Sequence, residues 1–179
     1  MNAPAVIVID MINSYDHEDA DRLVPSVRRV VPAIRKLIDR AREAEAELIY
    51  VNDNLGPWRS RMDDVVQAAS RGRHPDLVEA IAPDDRSLFV VKARHSIFYQ
   101  TPLEYLLAQD GIDHIVLCGQ VTEQCVLYSA LDAHIRGIEV TIARDAVAHI
   151  DADLAQAALR MMESNMGARL ADATEITLR

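Results

Sequence analysis

The stretch IVLCGQVTEQCVLYSALDAHIRGIEVTIARDAVA, residues 115–148, holds a strand, a helix and a second strand in immediate succession. Residues 112–119 and 138–145 are short apolar, β-rich runs, and Gly137 ends the helical pattern of residues 122–137 between them. Two strands joined by a helical crossover run parallel in a sheet. The stretch therefore predicts the repeating unit of a parallel α/β fold.

The rest of the chain follows the same alternation. Further strands are predicted over residues 5–10, 48–53, 87–92 and 168–172, and further helices over 25–47, 101–111 and 151–167. Unbroken apolar strands indicate burial on both faces, as a parallel sheet requires. The predicted fold class is α/β: a three-layer α/β/α, doubly wound domain with a mainly parallel six-stranded sheet, spanning residues 1–179 as a single domain. Residues 54–74 are predicted as a loop with one or two helical turns.

Composition excludes several classes of partner. The 179 residues carry a formal net charge of -9, which disfavours binding to nucleic acid or to an anionic membrane. No apolar run approaches the roughly 20 residues of a membrane helix, and the first ten residues lack a signal-type pattern. A cytoplasmic protein is expected. Two cysteines, Cys118 and Cys125, are too few for a disulfide scaffold.

Reactive side chains follow several predicted strands. Parallel α/β sheets bind ligands at the carboxyl ends of their strands. The predicted strands end at polar residues in four places: Asp10, Asp53, Lys92 and Asp145. The loop after Gly119 brings Cys125 into the first turn of the next helix. A carboxylate, an ammonium and a thiol are thus predicted to converge on one edge, although each of them alone has an ordinary structural explanation.

The position of Cys125 in its helix favours reactivity. Thr122 is the expected N-cap, which makes Cys125 the third helical residue. Backbone N–H groups and the helix dipole, with a nearby Lys92 ammonium, would lower the pKa of the thiol. A buried cysteine is more often only a small hydrophobic residue, and Cys118, inside a strand, is interpreted as packing.

Three motifs resemble the isochorismatase-like cysteine hydrolases, a family that includes nicotinamidase, N-carbamoylsarcosine amidohydrolase and ureidoacrylate amidohydrolase. The motifs are VIVIDMINSY (6–15), FVVKARHSIFYQTPLEYLL (89–107) and the stretch 115–148, in the family's order. The resemblance implies a triad of Asp10, Lys92 and Cys125. It further implies a non-proline cis peptide between Val121 and Thr122, and an oxyanion hole formed by the backbone N–H groups of Thr122 and Cys125.

Departures from the family pattern narrow the expected chemistry. Isochorismatases proper lack the cysteine, so its presence at position 125 favours thiol chemistry. Nicotinamidases carry an Asp-x-His metal motif after the second strand, where this chain has NDNLG (52–56) without histidine. No metal and no cofactor are expected. Substrate-binding residues are predicted at four positions, each of which could instead serve the core or a turn: Tyr15, Asn52, Trp58 and Phe98.

The sequence thus predicts a cysteine-dependent hydrolase that cleaves an amide or ureido C–N bond of a small molecule through a thioester. The alternative is a non-catalytic or redox-sensing α/β interaction protein with a vestigial site. A thiol-dependent hydrolase of another bond, such as a thioester or a ring amide, also stays open. A homo-oligomer is expected from the resemblance and from the apolar-rich helix at 122–137.

Overall fold

The computed structural model describes residues 3–54 and 61–179, and all six strands in it join one parallel sheet. The strands are β1 (Ala5–Ile9), β2 (Leu48–Asp53), β3 (Leu88–Lys92), β4 (His114–Gln120), β5 (Glu139–Ala148) and β6 (Arg169–Ala171). Their order across the sheet is β3-β2-β1-β4-β5-β6, so the chain starts in the middle and winds outward in both directions. The predicted doubly wound α/β fold is confirmed, and every strand pair is parallel.

Helices cover both faces of the sheet. They are α1 (Ala20–Glu43), α2 (Met62–Ser70), α3 (Pro75–Glu79), α4 (Leu103–Gln109), α5 (Leu127–Ile135) and α6 (Ala152–Met166), with a π-helical turn (Thr122–Val126) leading into α5. None of these helices has both the length and the apolarity that crossing a bilayer requires. Apolar side chains of α1, α2 and α3 share one buried cluster, and those of α4, α5 and α6 share another.

The central strand β1 supplies both clusters because its side chains alternate between the two faces. Val6 and Val8 pack towards α1, whereas Ile7 and Ile9 pack towards α5 and α6. All five residues of β1 are buried. A continuous apolar run is therefore what this position in the sheet requires.

The start of α1 and the end of β5 differ from the sequence prediction. Helix α1 begins at Ala20, with Pro25 inside it, because Ala20 and Leu23 are already buried against the core. Strand β5 continues to Ala148, past a register shift opposite Leu117 and Gly119. Asp145 therefore lies within the strand, and its carboxylate accepts a hydrogen bond from the Ala173 N–H at 2.7 Å instead of facing the site.

Gly119 allows β4 to run against β1. Its φ is +114°, which disfavours residues that have a Cβ. A Cβ built at this position would lie 2.2 Å from the Ile9 carbonyl oxygen, a backbone atom of the central strand. A glycine is thus required here for two reasons: the backbone conformation disfavours a Cβ, and β1 leaves no room for one.

Gly119→Ala is expected to lower the free energy of unfolding by more than about 3 kcal/mol, since backbone strain and overlap with β1 act together. Urea unfolding followed by circular dichroism measures the change. Gly137→Ala is the matched control: its φ is +72° but open space surrounds the new methyl group, so a loss of only about 1 kcal/mol is expected. Equal losses in the two variants would show that contact with β1 does not matter.

Candidate active site

The structure brings Asp10, Lys92 and Cys125 together at the carboxyl edge of the sheet. The Lys92 ammonium lies 3.0 Å from Asp10 Oδ2 and donates a hydrogen bond to Cys125 Sγ at 3.6 Å. Asp10 follows β1, Lys92 ends β3 two strands away, and Cys125 lies on the π-helical turn after β4. The structure thus brings together the carboxylate, the ammonium and the thiol that the sequence predicted at this edge.

Lys92 is a buried cation, with a side chain only 1% exposed. Burial lowers the pKa of Lys92, but Asp10, Cys125 and Asp53 together outweigh that effect and raise the pKa above its ordinary value. The Asp53 carboxylate contributes from 4.0 Å. The ammonium therefore keeps its charge in the resting site, because its negative neighbours stabilise it.

Asp10 is held in a fixed orientation. Its φ is +54°, in the left-handed region. The Asp53 N–H donates to Oδ1 at 2.8 Å, which leaves Oδ2 directed at Lys92. Burial raises the pKa of Asp10, and this effect exceeds the lowering by Lys92 and by the hydrogen bonds. A carboxylate in this state is a stronger base than one on the surface.

The pKa of the Cys125 thiol is raised to about 12, so the expectation of a low-pKa thiolate is wrong. Burial is the main cause, and the neighbouring Asp10 carboxylate adds to it. The Lys92 ammonium acts in the opposite direction but is weaker than the two combined. Tertiary structure places this carboxylate against the sulfur, and the position of Cys125 in its helix does not reveal that contact. The resting sulfur is therefore a neutral thiol that hydrogen-bonds to Asp10.

The turn that carries the sulfur also differs from the prediction. Thr122 is not the N-cap: Val121 precedes the π-helical turn, and the Thr122 hydroxyl donates to the Ala148 carbonyl at 2.8 Å. Cys125 is thus the fourth residue of the turn instead of the third. This hydrogen bond anchors the turn to the end of β5. The turn ends at Val126, and α5 begins at the next residue.

The cis peptide bond joins Gln120 to Val121, so the predicted position between Val121 and Thr122 is wrong by one residue. The Val121 carbonyl already accepts from the Gln124 and Val126 N–H groups. The Val121–Thr122 peptide unit is thus part of the helical turn, where peptide units are trans.

The backbone N–H groups of Thr122 and Cys125 lie on this same turn. Among the described residues, neither donates to a backbone acceptor outside the helices and strands. Cys125 is fixed further by Ser129, whose hydroxyl donates to the Cys125 carbonyl at 2.5 Å. Their role as an oxyanion hole stays a prediction, compatible with this placement.

A cavity of about 320 Å³ lies beside Asp10, although neither Lys92 nor Cys125 is among the residues that line it. It is lined by Asp10, Asn13, His17, Asp19, Leu23, Asn52, Asp53, Gln120, Val121, Gln124 and Ile150. This size suits a small molecule, and the lining is a mixture of polar and apolar groups. The sequence analysis named Asp10, Asn52, Asp53 and Val121 as site or strand-end residues, and it assigned no role to the other lining residues. The only signal for Gln120 and Gln124 was their place between Gly119 and Cys125.

The predicted substrate-binding residues lie in different places relative to the cavity. Asn52 lines the cavity, but both of its amide N–H groups are already used, by the carbonyls of Ile12 and Asp53. Tyr15 is fully buried, and Phe98 is buried in the cluster that contains Cys125. Neither ring lines the cavity. Trp58 lies outside the described residues, and all four roles stay predictions.

Metal-binding geometry is not found in the part of the chain that the structure describes. Within residues 3–54 and 61–179, no three His, Cys, Asp or Glu side chains are placed to hold an ion. His74 packs edge-on against Tyr15, with ring centroids 6.0 Å apart.

A parallel α/β sheet with a carboxylate, a buried ammonium and a thiol at its ligand-binding edge defines an α/β protein with a candidate hydrolytic site. An isochorismatase domain model matches residues 4–175. The chain therefore belongs to the isochorismatase family of hydrolases.

Individual relatives agree with this assignment. The chain is 33% identical over 172 residues to YaaI, an uncharacterized isochorismatase family protein of Bacillus subtilis, covering 96% of this chain and 95% of that protein. It is 27% identical to maleamate amidohydrolase of Pseudomonas putida, covering 92% and 81%. Its fold matches the crystal structure of N-carbamoylsarcosine amidase from Thermoplasma acidophilum with a TM-score of 0.78 and 28% identity, over 98% of this chain and 99% of the other.

The raised pKa of Cys125 predicts slow alkylation near neutrality. The iodoacetamide rate of Cys125 is expected to rise about tenfold per pH unit above pH 7, because only the thiolate reacts. Asp10→Asn removes a negative charge that raises this pKa, so alkylation at pH 8 should accelerate roughly tenfold or more. Mass spectrometry of the modified peptide measures both rates.

Lys92→Met provides the opposite control, since loss of the cation should slow alkylation further. A wild-type rate that already reaches a plateau below pH 8 would contradict the assigned electrostatics.

Proposed function

We propose that the protein is a cysteine-dependent hydrolase of a small-molecule amide or ureido C–N bond that acts through a thioester acyl-enzyme. The observation that carries the proposal is the contact of one buried ammonium with both a carboxylate, at 3.0 Å, and a sulfur, at 3.6 Å. A carboxylate and a thiol that share a hydrogen bond form a base and a nucleophile ready for proton transfer.

In the first half-reaction, Asp10 takes the Cys125 proton as the sulfur attacks the carbonyl carbon. The tetrahedral oxyanion is stabilised by the backbone N–H groups of Thr122 and Cys125. Asp10 then returns the proton to the leaving nitrogen, the C–N bond breaks, and a thioester with Cys125 remains. In the second half-reaction, Asp10 deprotonates a water molecule that attacks the thioester, releasing the acid and restoring the thiol.

Lys92 stabilises whichever partner carries the negative charge. Before attack the charge resides on Asp10, and during attack it moves towards the sulfur and the oxyanion. Because the ammonium contacts both Asp10 and Cys125, this movement requires no rearrangement of a counter-ion. A raised pKa of the thiol therefore does not prevent catalysis, since the proton acceptor is also buried and its pKa is also raised.

The relatives support the type of bond cleaved. One has the name of an amidohydrolase that acts on maleamate, and another is an N-carbamoylsarcosine amidase. A cavity of about 320 Å³ with amide and carboxylate groups in its lining suits a small polar substrate of this kind. We further propose that residues 1–179 form one domain and that the protein acts in the cytoplasm on a small-molecule substrate without a metal or cofactor.

Cys125→Ala is expected to fold and to lose at least about 10⁴-fold in turnover on any amide that the wild type hydrolyses, because the nucleophile is gone. A screen of nicotinamide, maleamate and N-carbamoyl compounds, scored by ammonia release, identifies the substrate. Cys125→Ser should accumulate an ester of the acyl group that intact-protein mass spectrometry can detect.

Cys118→Ala is the matched control, since the Cys118 sulfur is buried in β4 and donates to the Ile7 carbonyl. Turnover by Cys125→Ala close to the wild-type rate would remove the nucleophile assignment. No turnover on the panel, together with reversible oxidation of Cys125, would favour the redox-sensing alternative.

We also propose a homo-oligomer, on the basis of an exposed apolar patch on α5 and α6. Tyr128, Leu131 and Ile135 are spaced three and four residues apart on α5 and are all exposed. Leu154 and Met161 on the adjoining helix α6 are exposed as well. Exposed apolar side chains on two packed helices favour a protein–protein contact, and a second copy of the chain presents a surface of the same chemistry.

Ile135→Glu is expected to weaken self-association at least tenfold, because it buries an unpaired charge in the contact. Size-exclusion chromatography with light scattering, over a range of protein concentrations, measures the shift. Tyr105→Glu on α4 is the control, since Tyr105 is exposed to the same 69% but lies outside the patch. A wild-type protein that is monomeric at every concentration would contradict the proposal of a homo-oligomer.

A further inference from the structure

The backbone at Asp10 requires a specific restraint. Asp10 has φ +54°, a conformation that a Cβ disfavours and that persists only where neighbouring groups enforce it. The carboxylate must nevertheless contact Lys92 and Cys125 at the same time. A small rotation of this residue about its backbone would move the base away from the sulfur.

Gln120 supplies that restraint from the neighbouring strand. Its side-chain Nε2 donates to the Asp10 carbonyl at 2.7 Å, and the side chain is 1% exposed. Among the described residues, no backbone N–H outside the helices and strands donates to the same carbonyl. Gln120 is itself fixed, because β4 pairs with β5 at Gln120 and Ala148.

Three other contacts complete the restraint but act elsewhere, and one of them is the hydrogen bond of 3.0 Å from the Asp10 N–H to the Val51 carbonyl. The Asp53 N–H orients the Asp10 carboxylate, and the Asn52 side chain binds the backbone N–H and carbonyl of Ile12, two residues further on. None of these three contacts holds the carbonyl of the peptide unit that follows Asp10. Among the described residues, Gln120 is the side chain that donates to this carbonyl.

Tyr15 extends the network. Its hydroxyl and the Gln120 Oε1 atom are both buried and neither has a hydrogen-bond partner in the described structure. Burial raises the pKa of Tyr15, and the Gln120 side chain acts to lower it. The two side chains are therefore close neighbours. A buried hydroxyl beside a buried amide is a natural pair. Tyr15 is therefore the neighbour that can hydrogen-bond the Gln120 side chain.

We propose that Gln120 is a positioning residue of the reaction: by holding the Asp10 carbonyl it keeps the Asp10 carboxylate between Lys92 and Cys125, and Tyr15 supports it in this role. The inference rests on the proposed function, in which Asp10 is the base. Gln120 lines the cavity, but its Nε2 atom donates to the Asp10 carbonyl. Its effect is exerted through the orientation of Asp10.

The first test is Gln120→Met, which keeps the size of the side chain and removes its N–H donors. A misplaced base should reduce kcat roughly 10- to 100-fold while KM changes less than about threefold, since Asp10 acts in the chemical step. Tyr15→Phe should reduce kcat less, and its effect should largely vanish in the Gln120→Met background. Gln109→Met, at an exposed position on α4, is the matched control.

Gln120→Glu separates positioning from packing. A neutral glutamic acid can donate its O–H to the Asp10 carbonyl, whereas the ionised form cannot, and burial raises the pKa of such a group. The ratio of kcat/KM for Gln120→Glu to that for Gln120→Met should therefore rise as the pH falls from 8 to 5. A merely structural role would leave this ratio constant, because both variants fill the same space.

Alkylation of Cys125 gives a readout that needs no substrate. In Gln120→Met, the midpoint of the iodoacetamide pH profile should move from the wild-type value towards that of Asp10→Asn, since the carboxylate no longer contacts the thiol. An unchanged midpoint in a folded variant, or a pH-independent ratio in the glutamate comparison, would overturn the proposal. Failure to find any hydrolysed amide would count against the proposed function and leave the alkylation result as a separate test of Gln120.

Discussion

The buried ion pair of Lys92 and Asp10 is the interaction on which the site depends. Moving an ammonium out of water carries an effective penalty of several kcal/mol, so it is stable only where a negative partner is held in contact. The 3.0 Å contact with Asp10 meets that condition, and Asp53 adds a second carboxylate at 4.0 Å. The pair requires β3 and β1 to end at the same edge with only β2 between them, which makes the sheet order a condition of the chemistry.

The charge state of the sulfur follows from the same pair. Asp10 lies close enough to raise the pKa of Cys125, and Lys92 reduces that effect without cancelling it. The resting site thus holds a neutral thiol, a carboxylate and an ammonium. One proton moves from sulfur to oxygen when a carbonyl arrives, and the total charge of the group stays constant. A nucleophile that is protonated at rest is also protected from non-specific oxidation and alkylation.

Several polar side chains near the site serve the backbone instead of a ligand. Asn52 uses its amide to hold Ile12, Gln120 holds the Asp10 carbonyl, and the Thr122 hydroxyl binds the Ala148 carbonyl. These hydrogen bonds join the ends of β1, β2, β4 and β5 into one rigid edge. Such rigidity is what orients a base and a nucleophile that must meet within a hydrogen bond of each other. Polar residues next to an active site are therefore ambiguous evidence for substrate contact.

Local sequence patterns determined the parallel sheet and the meeting of Asp10, Lys92 and Cys125, because apolar strands of fixed period and crossover helices leave few ways to arrange their ends. The resemblance to a family added the roles of these residues and located the unusual peptide bond to within one position. Tertiary structure alone decided the pKa of the thiol, the length of β5 that removes Asp145 from the site, and the contact between Gln120 and Asp10. Each of these depends on distances between residues far apart in the chain, and the spacing of residues along a sequence does not tell which charge lies against which atom.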